Sequence, residues 1–305
     1  MRLSRREFVA ATAGAAVARP LAAQHPIVDI HQHTKYNQRP DEYVTPHQAA
    51  LGVTTSVLLA GDGWMLSQLG SNAVCTDFAS AHPGFVRFGC CDPARPDCLD
   101  VLRKEIQTGA LGFGEMKFEV QCDGPEMRRV YDLADEMKVP VLIHFWEGTH
   151  NKSLPRFESI LKKYPRVAFI GHAQSWWGGI SGDHVATEMY PKGPVKPGGL
   201  TDRLLSDYPN LYGDLSAGSG LNALTRDPEF TRGFLARHTD RLLWGSDCDC
   251  RDGKGDGVKR GTCLGAEILA AVRRYAPDQS AIEKILAGNA MRLLRLPANG
   301  RASNR

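Results

Sequence analysis

Eight short apolar, β-branched stretches recur along the chain, at 25–33, 52–61, 84–93, 110–118, 139–145, 166–173, 210–217 and 241–248. Near-continuous apolar runs of this length mark parallel strands buried on both faces, because helices cover the sheet on either side. Between them the period changes to that of a helix. Asp123-Gly124-Pro125-Glu126 reads as a capped start, with Met127, Val130, Ala134 and Met137 along one face. Residues 153–164 and 263–275 repeat that period, and Ser280-Ala281-Ile282-Glu283 reads as a capping box opening a final helix to about Leu294. This alternation predicts an α/β chain whose eight strands close a (β/α)8 TIM barrel, with a doubly wound open sheet as the alternative.

One interval is longer than the rest: 44 residues separate the starts of the sixth and seventh stretches. Residues 174–200 are rich in glycine and proline and include Trp176 and Trp177. A long loop after a barrel strand lies on the catalytic face, so this one is expected to cover the substrate, with Trp146, Trp176 and Trp177 outlining the pocket.

The N-terminus changes the reading of charge. Ser4-Arg5-Arg6-Glu7-Phe8-Val9 followed by a weakly apolar run to Ala18 has the form of a twin-arginine signal peptide, expected to span 1–23. The barrel domain is then expected to cover 24–296, with a disordered tail expected over 297–305. Removing four arginines and one glutamate takes the formal +3 to 0. Nothing basic remains to favour nucleic acid, and no later stretch is long enough to span a bilayer. The expected location is periplasmic or otherwise exported. The export machinery and a small-molecule substrate are the expected partners, without stable membrane association, and self-association is left open.

Eight cysteines, 75, 90, 91, 98, 122, 248, 250 and 263, lack paired CxxC spacing, which argues against a zinc ribbon. Twin-arginine export carries folded chains, so free buried thiols are expected, with one or two disulfides as the alternative.

The candidate chemistry sits at strand ends. The first stretch ends His31-Gln32-His33, and residues two apart on a strand face the same side. The fifth ends at His144, the sixth at His172 and the eighth at Asp247. A single histidine after an apolar run is usually a hydrogen-bonded structural residue. Four histidines and an aspartate at the C-terminal ends of one barrel's strands point instead to a shared site. Imidazole and carboxylate donors suit Zn²⁺ first, then Mn²⁺ or Fe²⁺.

With HxH on the first strand, His on the fifth and sixth, Gly245-Ser246-Asp247 on the eighth and the closing Ile285-Leu286-Ala287-Gly288-Asn289-Ala290-Met291, the chain resembles the amidohydrolase superfamily. The segment from Ile285 to Leu294 is similar to the closing helix of the amidohydrolase-related branch, which includes aminocarboxymuconate semialdehyde decarboxylase-like enzymes and lactone or C–N hydrolases. The resemblance covers about 25–296. It implies His31, His33 and His144 as metal ligands, Asp247 as ligand or acid/base, and His172 as electrophile, acid/base or second-metal ligand. Two-metal members carry a bridging group on the fourth strand, where this chain has Glu115 and Lys117; Glu115 is thus a further candidate ligand, and one or two ions are expected. An ion pair between Glu115 and Lys117 is the plain alternative.

The loop 248–257 is rich in Asp and Gly but has Val258 where a calcium loop needs glutamate, and it lacks a P-loop signature. It reads as a substrate loop whose Arg251, Lys254, Lys259 or Arg260 could bind a carboxylate. The expected activity is metal-dependent hydrolysis of a lactone, amide or ester, with Asp247 and His172 as catalytic residues. Non-oxidative decarboxylation or hydration on the same site is the alternative, and a non-catalytic metal-binding barrel is the third reading.

Overall fold

The computed structural model describes residues 25–297. Its eight strands are β1 Val28–Gln32, β2 Thr55–Leu59, β3 Phe85–Phe88, β4 Phe113–Met116, β5 Val141–His144, β6 Phe169–His172, β7 Leu211–Asp214 and β8 Leu242–Leu243. Each lies inside one of the eight apolar stretches. All neighbouring pairs are parallel, in the order β1-β2-β3 and β4 to β8. The two arcs join through Gly89, whose N–H donates to Gly112 O and whose carbonyl accepts from Gly114. They close where Ile30 N–H donates to Trp244 O (3.1 Å) and Asp247 N–H to His31 O (2.8 Å). The result is a closed TIM barrel, as the alternation predicts, and no open sheet.

Val28, Ile30, Val57, Leu59, Phe88, Leu142, Ile170, Tyr212 and Leu243 pack into one cluster with Ala287, Ala290 and Leu294. Residues from seven strands of a closed barrel meet only in its interior, so these fill it, with the last helix at one end. A larger cluster that includes Phe113, Val141, Ile143, Phe169 and Leu211 packs the outer strand faces against the helices. Both faces are thus apolar, which is why the strands read as continuous rather than alternating runs.

Two irregularities matter for the site. The β1–β2 register shifts between Asp29 and Gln32, and the β4–β5 register shifts between Phe113 and Met116. A bulge re-aims the side chains that follow it. Here the shifts fall at His31 and Glu115, and both side chains point to the same inner face as His144 and His172.

Helix caps depart from expectation. The helix Pro125–Met137 has Gly124 at its N-cap and so no side-chain cap, while the Asp123 carboxylate one residue earlier accepts from Arg156 Nε (2.9 Å). The last helical segment begins at Gln279, capped by Asp278 accepting from Ala281 N–H, two residues before the expected capping box.

Gly171 shows how tightly the interior is closed. A Cβ there would lie 2.4 Å from Trp176 Cε2. Gly171→Ala is therefore expected to destabilise the chain by about 1–3 kcal/mol through overpacking, read as a lower urea midpoint with an unchanged slope. The same contact corrects the expectation for Trp176 and Trp177. Both are fully buried core residues, Trp176 stacked on Phe145 and Trp177 donating Nε1–H to Asp214 O (2.8 Å). The expected signal peptide, 1–23, and nearly all of the expected tail lie outside the described residues. Among the described residues no helix is long and apolar enough to cross a membrane.

Candidate metal centre and active site

His31 and His33 converge, with their Nε2 atoms 3.0 Å apart. His31 Nδ1–H donates to Asp214 Oδ2 (2.7 Å) and His33 Nδ1–H to Leu59 O (2.8 Å). Both acceptors lack protons, which fixes the Nδ1–H tautomers and turns lone pairs inward at Nε2. Two N–H groups could not face each other at that distance. Two lone pairs brought this close are the arrangement a shared cation relieves, with the outer nitrogens anchored as in metal-ligating histidines.

Carboxylates surround the pair. Asp247 Oδ1 lies 3.5 Å from His33 Nε2 and 3.8 Å from His31 Nε2, and its Oδ2 lies 3.6 Å from His172 Nε2. That Oδ1 is buried and has no hydrogen-bond partner. Glu115 stands between two histidine pairs. Its Oε2 is 3.7 and 3.8 Å from His31 and His33, while its Oε1 bonds His144 Nδ1 (2.5 Å) and lies 3.8 Å from His172 Nε2. The carboxylate thus faces four imidazoles rather than forming a simple pair with Lys117. An orphaned carboxylate oxygen among imidazole lone pairs fits a divalent ion of the N/O-binding class. His144 reaches the group through Glu115.

The electrostatics agree. Burial alone would lower His31, but Asp247 and Asp214 outweigh it and raise its pKa well above the usual histidine value. Burial would likewise raise Asp247, yet His31 and its neighbours hold it well below the carboxylate range. For Glu115, burial is outweighed by Lys117 and His144, again holding the carboxyl low. His144 is pushed down to about 3 by burial, with Lys117 adding to the effect. Three buried carboxylates make a field that draws positive charge, whether protons or a metal ion.

Two residues absent from the sequence-based set complete the arrangement. Asp214, at the end of β7, accepts at Oδ2 from His31 and from Ser216 Oγ (2.9 Å) and lies 3.1 Å from His172 Nδ1, which also contacts Ser216 Oγ (3.2 Å). It orients two site histidines at once. The run Leu211-Tyr212-Gly213-Asp214 carries the same signal as those ending in His144 and His172. Asp29 accepts from His31 N–H (3.0 Å), Ser246 N–H (2.9 Å) and Gln48 Nε2 (2.8 Å), joining β1 to the Gly245-Ser246-Asp247 turn.

A cleft of about 580 Å³ opens over His144, His172 and Asp247. Tyr36, Lys117, Gln174, Tyr190, Asn222 and Arg260 contribute to its walls. The insertion after β6 therefore does reach the cleft, through Gln174 and Tyr190 rather than the tryptophans. Of the four cations expected on the loop after β8, only Arg260 lines it. Arg251 lies over the Tyr43 ring and 3.9 Å from Asp256, and Lys254 and Lys259 are exposed away from it.

Solved structures share the fold. An uncharacterized TIM-barrel protein from Bordetella bronchiseptica superposes with a TM-score of 0.62 at 17% identity, covering 90% of this chain and 100% of that one. A Pseudomonas putida protein provisionally assigned as a 2-pyrone-4,6-dicarboxylic acid hydrolase gives 0.59 at 14%, covering 89% and 98%. The 2,6-dihydroxybenzoate decarboxylase from Rhizobium gives 0.55 at 13%, covering 89% and 99%. No curated protein matches the chain. The amidohydrolase family model matches residues 28–296. The chain therefore belongs to the amidohydrolase family, as an enzyme built around a buried His/Asp/Glu cluster consistent with a divalent metal.

Proposed function

We propose that the protein hydrolyses a lactone, amide or ester carbonyl in a small carboxylate-bearing substrate. The observation that carries this reading is Asp247 Oδ1, a buried carboxylate oxygen without a partner beside the convergent imidazoles. His31, His33 and Glu115 would hold the ion, with Zn²⁺ the first candidate and His144 positioning Glu115. Such an ion supplies Lewis acidity, which lowers the pKa of water and polarises a carbonyl. Asp247 accepts the proton of the attacking water and returns it to the leaving group. His172, held toward the cleft by Asp214, donates a hydrogen bond to the oxygen that gains charge. Asp214 fixes both imidazoles throughout. Lys117 and Arg260, whose guanidinium also pairs with Glu267, are the cleft cations that could meet a substrate carboxylate.

Arg260→Ala is expected to raise KM about tenfold with little change in kcat, since a lost charge-assisted bond at an exposed position weakens ground and transition states alike. An unchanged KM would remove Arg260 from substrate binding.

Non-oxidative decarboxylation is the second reading, favoured by one observation. Burial would lower His172, but Asp214 outweighs it and raises His172 to about 9, which keeps it protonated and able to donate to carbon. A panel of lactones, esters, amides and aromatic or unsaturated carboxylic acids, assayed for acid release and for CO₂, separates the two. Acid release without CO₂ supports hydrolysis, and CO₂ release from an acid replaces it with the lyase.

A further inference from the structure

Three of the eight cysteines do not behave like the other five. Cys75 lies against the Thr34 hydroxyl, and Cys90, Cys91, Cys98 and Cys122 each direct their thiols to a backbone carbonyl, as buried thiols do. Cys248, Cys250 and Cys263 instead gather around one point together with His47, and all four are buried. Their ligand atoms lie within 4.8 Å of one another, with Cys248 Sγ 3.8 Å from Cys263 Sγ and Cys263 Sγ 3.4 Å from His47 Nε2.

Those distances have a simple meaning. Four ligands placed tetrahedrally around zinc, with Zn–S of about 2.3 Å and Zn–N of about 2.0–2.1 Å, have S···S edges of about 3.8 Å and S···N edges of about 3.5 Å. A disulfide would need its sulfurs about 2.05 Å apart. We propose that His47, Cys248, Cys250 and Cys263 form a second metal site, a closed Cys₃His centre for Zn²⁺, distinct from the barrel cluster.

The surroundings suit thiolates. Backbone N–H groups of Asp252 and Gly253 are directed at the Cys250 sulfur, and that of Ala266 at the Cys263 sulfur. Three thiolates and a neutral imidazole around Zn²⁺ carry a net charge of −1. The buried Arg39 guanidinium offsets it, donating through Nη1 to Cys248 O (2.9 Å) and Cys250 O (3.3 Å). Through Nη2 it also holds His33 O (2.8 Å) and Gln32 Oε1 (3.1 Å).

The centre joins three parts of the fold. His47 comes from the helix Val44–Ala50, Cys248 and Cys250 from the loop after β8, and Cys263 from the N-cap of the helix Leu264–Tyr275. With four protein ligands it leaves no open position, so its role is structural. It fastens the loop that begins at Asp247, whose backbone is held at φ 40°.

The test is cobalt substitution in the full chain, stripped of metal under reducing conditions and titrated with Co²⁺. Only a thiolate site gives intense sulfur-to-cobalt charge-transfer absorption in the near ultraviolet; the barrel cluster, with nitrogen and oxygen donors, does not. That band is expected in the wild-type chain and lost in Cys263→Ser and in Cys250→Ser. Each variant should also carry one equivalent of zinc less per chain after growth with zinc. Absence of the band in the wild-type chain would overturn the proposal whether or not the variants fold. So would a Cys248–Cys263 disulfide peptide in a non-reducing digest of the metal-loaded chain.

Discussion

Asp247→Asn is expected to lower kcat by about 10²–10⁴-fold, the usual range for losing a general acid–base, while the chain keeps its fold and most of its barrel metal. The substitution keeps shape and volume but removes the charge and basicity of Oδ1, the atom left without a partner beside His33 and His31. Asp247 N–H still donates to His31 O, so the backbone that closes the barrel is untouched. KM should change far less than kcat, because the proton is transferred only in the transition state. Steady-state kinetics on the substrate identified by the panel, with metal content measured in parallel, reads both. Full activity in the variant would remove Asp247 from the chemistry.

Metal removal has the second large effect. Dialysis against a chelator is expected to reduce turnover to background, and Zn²⁺ returned at stoichiometric amounts should restore it. Stability should fall as well, because an ion that binds only the folded chain stabilises it by about 4 kcal/mol at a thousandfold excess over Kd. In a chain of this size that corresponds to a thermal midpoint lower by about 10 °C. The fit of the donors explains why. Without a metal ion, a proton held between His31 and His33 Nε2, 3.0 Å apart, and those of the other histidines are all that compensates three buried carboxylates. Turnover that survives complete stripping would mean the chemistry needs no metal.

The barrel was legible because strands buried on both faces write themselves as continuous apolar runs, and His31, His33, His144, His172 and Asp247 were legible because they end those runs. Asp214 ends such a run too and could have been found by the same rule. Asp29 and Arg39 could not, since their roles come from partners on the far side of the barrel closure. The cysteines show the limit most clearly. A search for paired spacing cannot see a site in which His47 lies 216 residues before Cys263, and only closure of β8 onto β1 brings them together. Trp176 and Trp177 misled for the opposite reason, because a glycine-rich loop sequence gives no hint that Gly171 makes room for an indole beneath β6. The cap at Asp278 lay two residues from a pattern that matched locally, where the chain's approach to the helix decided the start.

The most direct test of the account is an anomalous-scattering map collected at the zinc edge on crystals of the active, zinc-loaded enzyme. A peak is predicted between His31 Nε2, His33 Nε2 and Glu115, with Asp247 beside it, and a second peak inside the barrel near Glu115, His144 and His172 would make the centre binuclear. Active enzyme whose map shows no ion among these residues would contradict the account.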